Sequence, residues 1–305
     1  MEEELLGRGD ARQVVVRVKA VWRPGPGSAL TPQDPLPIVG YRHIDTAESY
    51  GNEKSIGLAI KDCIASGIIK REDLTVTTKL WPGSLSLNFG SEKTYDQTIE
   101  SCKNELNEMG LDYFDLYLIH GPFSSTRISQ YSALIHLKSL NLVKKIGVSN
   151  YGVKELEEIK HLEKPHVNQI EVSPICRQSE ELREYMSVNG IKVWAYGSLS
   201  LLSNWRSDSK IGKESFTESE LSHLKKSREV VARVSSKMGK TEAQILLRWA
   251  LEFDYCIVPK STNETRMKEN LEVTNCTISE EDMQALNELD MKMPMCWSFD
   301  PINIS

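Results

Sequence analysis

The chain has 305 residues, 40% of them hydrophobic and 26% charged, with a formal net charge of −6. That is the balance of an ordinary soluble globular protein, long enough for two domains or for one α/β barrel of about 250 residues around a large core. Its acidity excludes an electrostatic footing for nucleic acid or for an anionic membrane surface, so a phosphate-bearing ligand would need locally placed cations.

The start of the chain, "MEEELLGRGD", is acidic and lacks the apolar stretch of a signal peptide. No run of about 18 apolar residues follows it, so no membrane-spanning helix is expected and the expected address is cytoplasmic. The cysteines at 63, 102, 176, 256, 276 and 296 form no C-x-x-C pair. That spacing suits neither a zinc site nor a dense disulfide framework, and reduced thiols are expected.

"QVVVRV" (13–18) is the first strand-like run. Prolines 24, 26, 32, 35 and 37 follow it closely, and a proline within a helix costs about 3 kcal/mol. No ordinary crossover helix fits there, and residues 1–39 are expected to form an atypical, irregular segment ahead of a barrel domain over 40–305. From residue 40 onward, short β-branched or aromatic runs alternate with helical patterns. The runs are "YRHID", "LTVTTK" (74–79), "FDLYLIH" (114–120), "KKIGVS" (144–149), "VNQIE" (167–171), "KVWAY" (192–196) and "YCIVPK" (255–260). Between them, Ile99, Cys102, Leu106 and Met109 recur at helical spacing. Near the end, Ser279 is a good N-cap for a helix with Met283, Leu286 and Leu289 as its apolar stripe. Strand alternating with helix implies a parallel sheet with right-handed crossovers. Seven strands after residue 40, with 13–18 as the only candidate for an eighth, give the α/β class and a (β/α)8 TIM barrel whose first unit is expected to be atypical or incomplete.

In such a barrel the carboxyl ends of the strands share one mouth. The first strand after residue 40 ends at Asp45, with Tyr50 in the next loop; the second ends at Lys79; the third ends at His120. Any one of them alone would more often be a capping, solvated or packing residue. Together they make chemical sense. A phenol ordinarily titrates near 10, a lysine ammonium beside it stabilises the phenolate, an aspartate holds the lysine in place, and an imidazole can donate to a substrate oxygen. The set suits protonation of a carbonyl oxygen, and it contains neither an activated serine or cysteine nor a metal-ligand grouping, so a nicotinamide hydride is the natural electron source. "PKSTNETR" (259–266) leaves a strand and enters a helix, which places cations beside a helix N-terminus; a plain basic loop would read the same way.

The segments "GYRHIDTAESYGNE", "TTKLW", "GLDYFDLYLIH", "KKIGVSNY", "VNQIE", "AYGSLS" and "IVPKSTNETRMKENLEV" together resemble the aldo-keto reductase family over about residues 40–300. The resemblance implies an NADP(H)-dependent oxidoreductase, acting on CH–OH donors, that reduces aldehydes or ketones, with Tyr50 as general acid and Asp45, Lys79 and His120 beside it. It implies that Ser149, Asn150 and Gln169 hold the nicotinamide amide, that Tyr196 stacks on its ring, that Lys260, Ser261 and Arg266 take the 2′-phosphate, and that Glu269 and Asn270 meet the adenine end. The histidine at 120, where some relatives carry glutamate, favours carbonyl over double-bond reduction. The expected partner is a small carbonyl substrate, with no resident metal, no nucleic acid and no membrane, and the expected state is a monomer.

The sequence departs from the family pattern at three places. The usual opening strand with a Gly-Thr turn is not visible, which keeps open an alternative: a catalytically impaired, NADP-binding sensor or scaffold barrel. Gly121 stands where an aromatic residue often follows the histidine, so the substrate pocket, with Trp81 retained and Trp297 and Phe299 in the tail as a further wall, is expected to be wider on one side. "EVSP" (171–174) lacks the family's aromatic residue.

Overall fold

Each strand-like run after residue 40 forms a strand, and the chain between strands returns through helices. The computed structural model describes residues 16–17, 40–84, 89–202, 216–261, 263–297 and 300–303. In chain order the elements are β1 (Val16–Arg17), β2 (His43–Asp45), α1 (Glu53–Ala65), β3 (Thr75–Leu80), α2 (Tyr95–Met109), β4 (Phe114–Ile119), α3 (Arg127–Ser139), β5 (Val143–Ser149) and α4 (Val153–Ile159). They continue with β6 (Val167–Glu171), α5 (Glu180–Val188), β7 (Lys192–Tyr196), α6 (Glu218–Met238), α7 (Glu242–Leu251), β8 (Cys256–Ile257), α8 (Glu264–Leu271) and α9 (Glu280–Asn287).

The eight strands form one sheet in sequence order, and every neighbouring pair is parallel. That arrangement fits a (β/α)8 barrel. Of the 13–18 run, Val16 lies opposite Ile44 and Arg17 opposite Asp45, so this stretch does join the sheet beside β2. The rest of 1–39, with its expected irregularity and proline cluster, lies outside the described residues, as does Phe299. The last strand is shorter than the 255–260 run suggests. Val258 still donates its N–H to the Ala195 carbonyl at 3.0 Å, but Pro259 has no N–H with which to extend the ladder.

Local signals explain the helix ends. Thr94 caps α2 by accepting from the Gln97 N–H, with the Gln97 side chain returning to the Thr94 N–H, and Ser279 caps α9 in the same sense through the Asp282 N–H. Within α2, Cys102, Leu106 and Met109 are buried and Ile99 packs against them at the margin.

Side chains alternate across each strand, which divides the core in two. On β3, Thr78 faces the helices, where its hydroxyl meets Glu53 of α1 and Glu105 of α2, while Lys79 faces the opposite way, onto Asp45. The helix-facing side carries the larger apolar core. The other face holds a smaller cluster of Leu116, Leu118, Val167, Trp194, Tyr196, Cys256 and Val258, against which Cys296 and Trp297 of the tail pack. All six cysteines are free thiols. Among the described residues no helix is long and apolar enough to cross a membrane.

Candidate active site

Because the strands are parallel, their carboxyl ends lie along a single edge. Asp45 closes β2, Lys79 is the penultimate residue of β3, His120 follows β4 directly, Ser149 closes β5, and Tyr196 closes β7. The chain thus delivers residues 29 to 151 positions apart to one neighbourhood, and the side chains meet there.

Asp45 and Lys79 are fully buried and joined at 2.7 Å between Nζ and Oδ2; the same ammonium donates to the Thr46 carbonyl at 2.7 Å. A buried ion pair is tolerated only when its remaining hydrogen-bonding capacity is met. The second carboxylate oxygen of Asp45 accepts from Gln169 Nε2 at 3.0 Å, which joins β6 to the network. Tyr50 ends a single helical turn over Glu48–Tyr50 that closes on Gly51 in the left-handed conformation. This turn swings the phenol back over the strand ends. The Lys79 ammonium lies 5.3 Å from the centroid of the Tyr50 ring, and His120 meets that ring edge-on with centroids 5.6 Å apart. The His120 Nδ1 faces Ser49 Oγ at 3.3 Å, and the His120 carbonyl accepts from Asn150 Nδ2 at 3.0 Å. All four candidate catalytic residues therefore occupy one cluster.

The candidate cofactor residues fall into two groups. Ser149, Asn150, Gln169 and Tyr196 adjoin the cluster. Ser149 Oγ donates to the Gln169 carbonyl at 2.7 Å, and Asn150 Nδ2 also donates to Ser149 Oγ at 3.1 Å. Asn150 Oδ1 accepts from the Tyr196 hydroxyl at 2.6 Å, so both ends of the Asn150 amide are engaged within the protein. Gln169 Oε1 is buried with no hydrogen-bond partner among the described residues. An unmet buried acceptor is costly, and an amide N–H₂ from a bound group would satisfy it. The second group lies beyond β8. Lys260 and Arg266 are exposed, Ser261 and Glu269 are half-buried, and Asn270 is buried. Asn263 caps α8 by accepting from the Arg266 N–H at 3.0 Å. Two cations beside a helix N-terminus offer both charge and orphan N–H groups to an anion. The donor set thus fits a long ligand with an amide at one end and a phosphate at the other.

Several residues of the neighbourhood carry no signal that reading the sequence could isolate. Glu48 accepts from the Trp81 N–H at 2.8 Å, and Lys93 bridges Glu48 and the Trp81 carbonyl, so this pair holds Trp81 by its backbone. Trp81, Phe89, Phe123 and Trp297 form a row of contacting rings beside the cluster, with successive centroid separations of 5.0, 5.1 and 5.5 Å; Trp81 lies 5.4 Å and Trp297 6.2 Å from His120. Gly121, where a wider pocket is expected, borders the Phe123 ring. A Cβ there would lie 2.3 Å from the Phe123 ring, so that ring occupies the volume the missing side chain leaves. The spacing from residue 121 to 123 gives no hint of this contact.

Known proteins resemble this chain in sequence and in fold. The model of the Aldo/keto reductase family matches residues 36–291. A glyoxal reductase of Bacillus subtilis is 35% identical over 256 residues, covering 82% of this chain and 79% of that protein. An NADPH-dependent codeinone reductase of Papaver somniferum is 32% identical over 272 residues, covering 82% and 77%. Among solved structures, an aldo-keto reductase of Bombyx mori in complex with NADP superposes with a TM-score of 0.78 at 27% identity, covering 97% of each chain. The extent of the family match, over most of the chain and all of the strand ends that build the cluster, establishes that this protein belongs to the aldo-keto reductase family.

Proposed function

We propose that the chain is an NADP(H)-dependent oxidoreductase that reduces aldehydes or ketones to alcohols, acting on the CH–OH group in the reverse direction. The observation that carries this reading is the cluster itself: a phenol, a buried lysine–aspartate pair and an imidazole within contact of one another at the strand ends. Gln169 would hold the amide of the cofactor with its unmet oxygen, with Ser149 and Asn150 beside it and the Tyr196 ring as a flat surface. Lys260, Ser261 and Arg266 would hold the phosphate end, and Glu269 and Asn270 the adenine end. The hydride for the carbonyl carbon would come from NADPH held at these residues.

The protein's own part is to place and protonate the substrate oxygen. Tyr50 gives its hydroxyl proton to that oxygen as negative charge develops on it, and the resulting phenolate is stabilised by the Lys79 ammonium. Asp45 keeps Lys79 charged and aimed, because without that carboxylate a buried ammonium would be uncompensated. His120 donates to the same substrate oxygen and orients it. A proton from solvent restores Tyr50 after the alcohol leaves. The aromatic rings beside the cluster exclude water from the reacting carbonyl.

The decisive experiment is Tyr50→Phe. Loss of a general acid removes a factor of about 10²–10⁴ in rate, so aldehyde-dependent consumption of NADPH should fall by that order. NADPH binding, followed by its fluorescence, should remain near the wild-type value. Undiminished turnover in the variant would remove Tyr50 from the role. Cofactor binding without turnover in the wild type, across small and aromatic aldehydes, would favour a sensor.

A further inference from the structure

Glu171, the last residue of β6, is only 1% exposed, yet it belongs to neither the catalytic cluster nor the cofactor set. A buried carboxylate is costly unless hydrogen bonds meet it. Both of its oxygens are met by the backbone of the tail: the Met295 N–H donates to Oε1 at 2.6 Å and the Cys296 N–H to Oε2 at 2.9 Å. Hydrogen bonds to an ionised acceptor are stronger than neutral ones, and two of them from successive residues fix both the position and the rotation of that stretch of chain.

The surroundings are shaped for the same contact. Gly197, after β7, has φ +71°, and a Cβ there would lie 2.5 Å from Cys296 Sγ and 3.1 Å from Glu171 Cγ. The tail therefore sits in a cleft between the ends of β6 and β7 that a side chain at 197 would close. The residue that follows the two anchored amides is Trp297. Its indole N–H donates to the Tyr196 hydroxyl at 2.9 Å, and its ring stands 6.2 Å from His120 and 5.5 Å from Phe123.

We infer that Glu171 is a positioning residue: its carboxylate holds Met295 and Cys296 against the strand ends and so keeps the Trp297 ring as a wall of the substrate site, favouring planar, apolar carbonyls. The inference rests on the reading of this site as a carbonyl reductase. Its physical content is separable from that reading, because the anchoring is a property of the free chain. Replacing the carboxylate with an amide leaves one of the two N–H groups facing another donor, which frees the segment at nearly unchanged volume.

The test has two arms on the full chain. In the first, hydrogen exchange is measured at the Met295 and Cys296 amides in the wild type and in Glu171→Gln. Exchange at those amides should accelerate by about tenfold or more, the loss expected for a charge-assisted hydrogen bond, with the strands of the sheet unaffected. Unchanged protection at 295 and 296 would overturn the inference.

In the second arm, kcat and KM with NADPH are measured for benzaldehyde and for acetaldehyde in the wild type, Glu171→Gln, Trp297→Ala and the double variant. The ratio of kcat/KM for benzaldehyde over acetaldehyde should fall by about tenfold in each single variant, the scale of one lost apolar contact in a pocket, chiefly through KM for benzaldehyde. The double variant should fall no further than Trp297→Ala alone, because Glu171 acts through that ring. Additive losses, or equal losses for both aldehydes, would overturn the inference. So would an unchanged ratio in Trp297→Ala, which decides the matter even where Glu171→Gln fails to fold. A wild type that reduces neither aldehyde would sink the functional reading and the wall role with it, while the exchange arm would still report whether Glu171 anchors the tail.

Discussion

At the scale of single residues, Gly121 decides the shape of the site as much as the catalytic cluster does. The Phe123 ring lies where a side chain at 121 would project, with three ring carbons between 2.3 and 2.8 Å from the position of a Cβ. Gly121→Ala should force the ring out of that volume, toward Trp81 and Trp297. Overpacking of this kind costs about 1–3 kcal/mol, so thermal unfolding should begin earlier. KM for an aromatic aldehyde should rise several-fold while Tyr50 chemistry, read from kcat, changes much less. An unaltered KM would show that Phe123 does not border the substrate. The contrast with Asp45, Lys79 and His120 shows what could be read from the sequence at this scale. Those three stand at the ends of regular runs, and the topology of a parallel sheet places them at one edge whatever the loops do. Phe123, Glu48, Lys93 and Glu171 act through loop conformation or through tail contacts, and neither leaves a periodic trace.

At the scale of elements, α1, α2, β3 and β4 are tied together by a buried polar knot. The Thr78 hydroxyl on β3 lies 2.6 Å from Glu53 of α1 and 3.2 Å from Glu105 of α2, and the Tyr117 hydroxyl on β4 donates to Glu105 at 2.7 Å. Burial first, and the neighbouring carboxylate with it, raise the Glu105 carboxyl well above its ordinary range; burial raises Glu53 as well, with the Thr78 hydroxyl opposing that rise. Two buried carboxyl groups gathered around one hydroxyl do not both ionise readily, so the pair keeps a proton. A raised folded value means that the folded state keeps this proton after the unfolded chain has released it, above about pH 4.5. Stability contributed by this proton is therefore complete below that pH and is lost as pH rises. Glu105→Gln supplies the donor permanently. The variant should lose this decline on the alkaline side, and urea denaturation at pH 8 should find it as stable as the wild type or more so. Elsewhere the start of α9 was legible, because Ser279 marks it as a cap. The knot was not, because a Glu in a helix ordinarily reads as part of a solvated face.

At the scale of the whole molecule, a second buried titratable group opposes the first. His43 on β2 faces the interior, 3.0 Å from the Thr77 hydroxyl and edge-on to Trp194 at 4.7 Å. Burial lowers its imidazole from 6.5 to about 3, with Asp45 resisting the change and Lys79 adding to it. Below pH 6.5 the unfolded chain takes up a proton that the folded protein refuses until about pH 3. Stability from this residue is thus whole above pH 6.5 and falls as pH drops, by about 1.4 kcal/mol per pH unit for one proton. Between about pH 4.5 and 6.5, as long as the carboxyl pair keeps its proton, this slope and that of the pair have opposite signs. The molecule should then show a plateau of stability across that window, with a decline on the alkaline side while the carboxyl pair still holds its proton and a decline on the acid side, where His43 is joined by His166, whose imidazole burial also lowers, and by Glu158 and Asp282, whose carboxyls Arg127 and Lys237 hold below their ordinary range. His43→Gln, which keeps a hydrogen-bonding group near Thr77, should tilt the plateau so that stability is highest at its acid edge; Glu105→Gln should tilt it the other way. Urea midpoints measured at half-unit intervals of pH for the wild type and both variants test this, and parallel profiles for all three chains would show that neither group governs stability in this range.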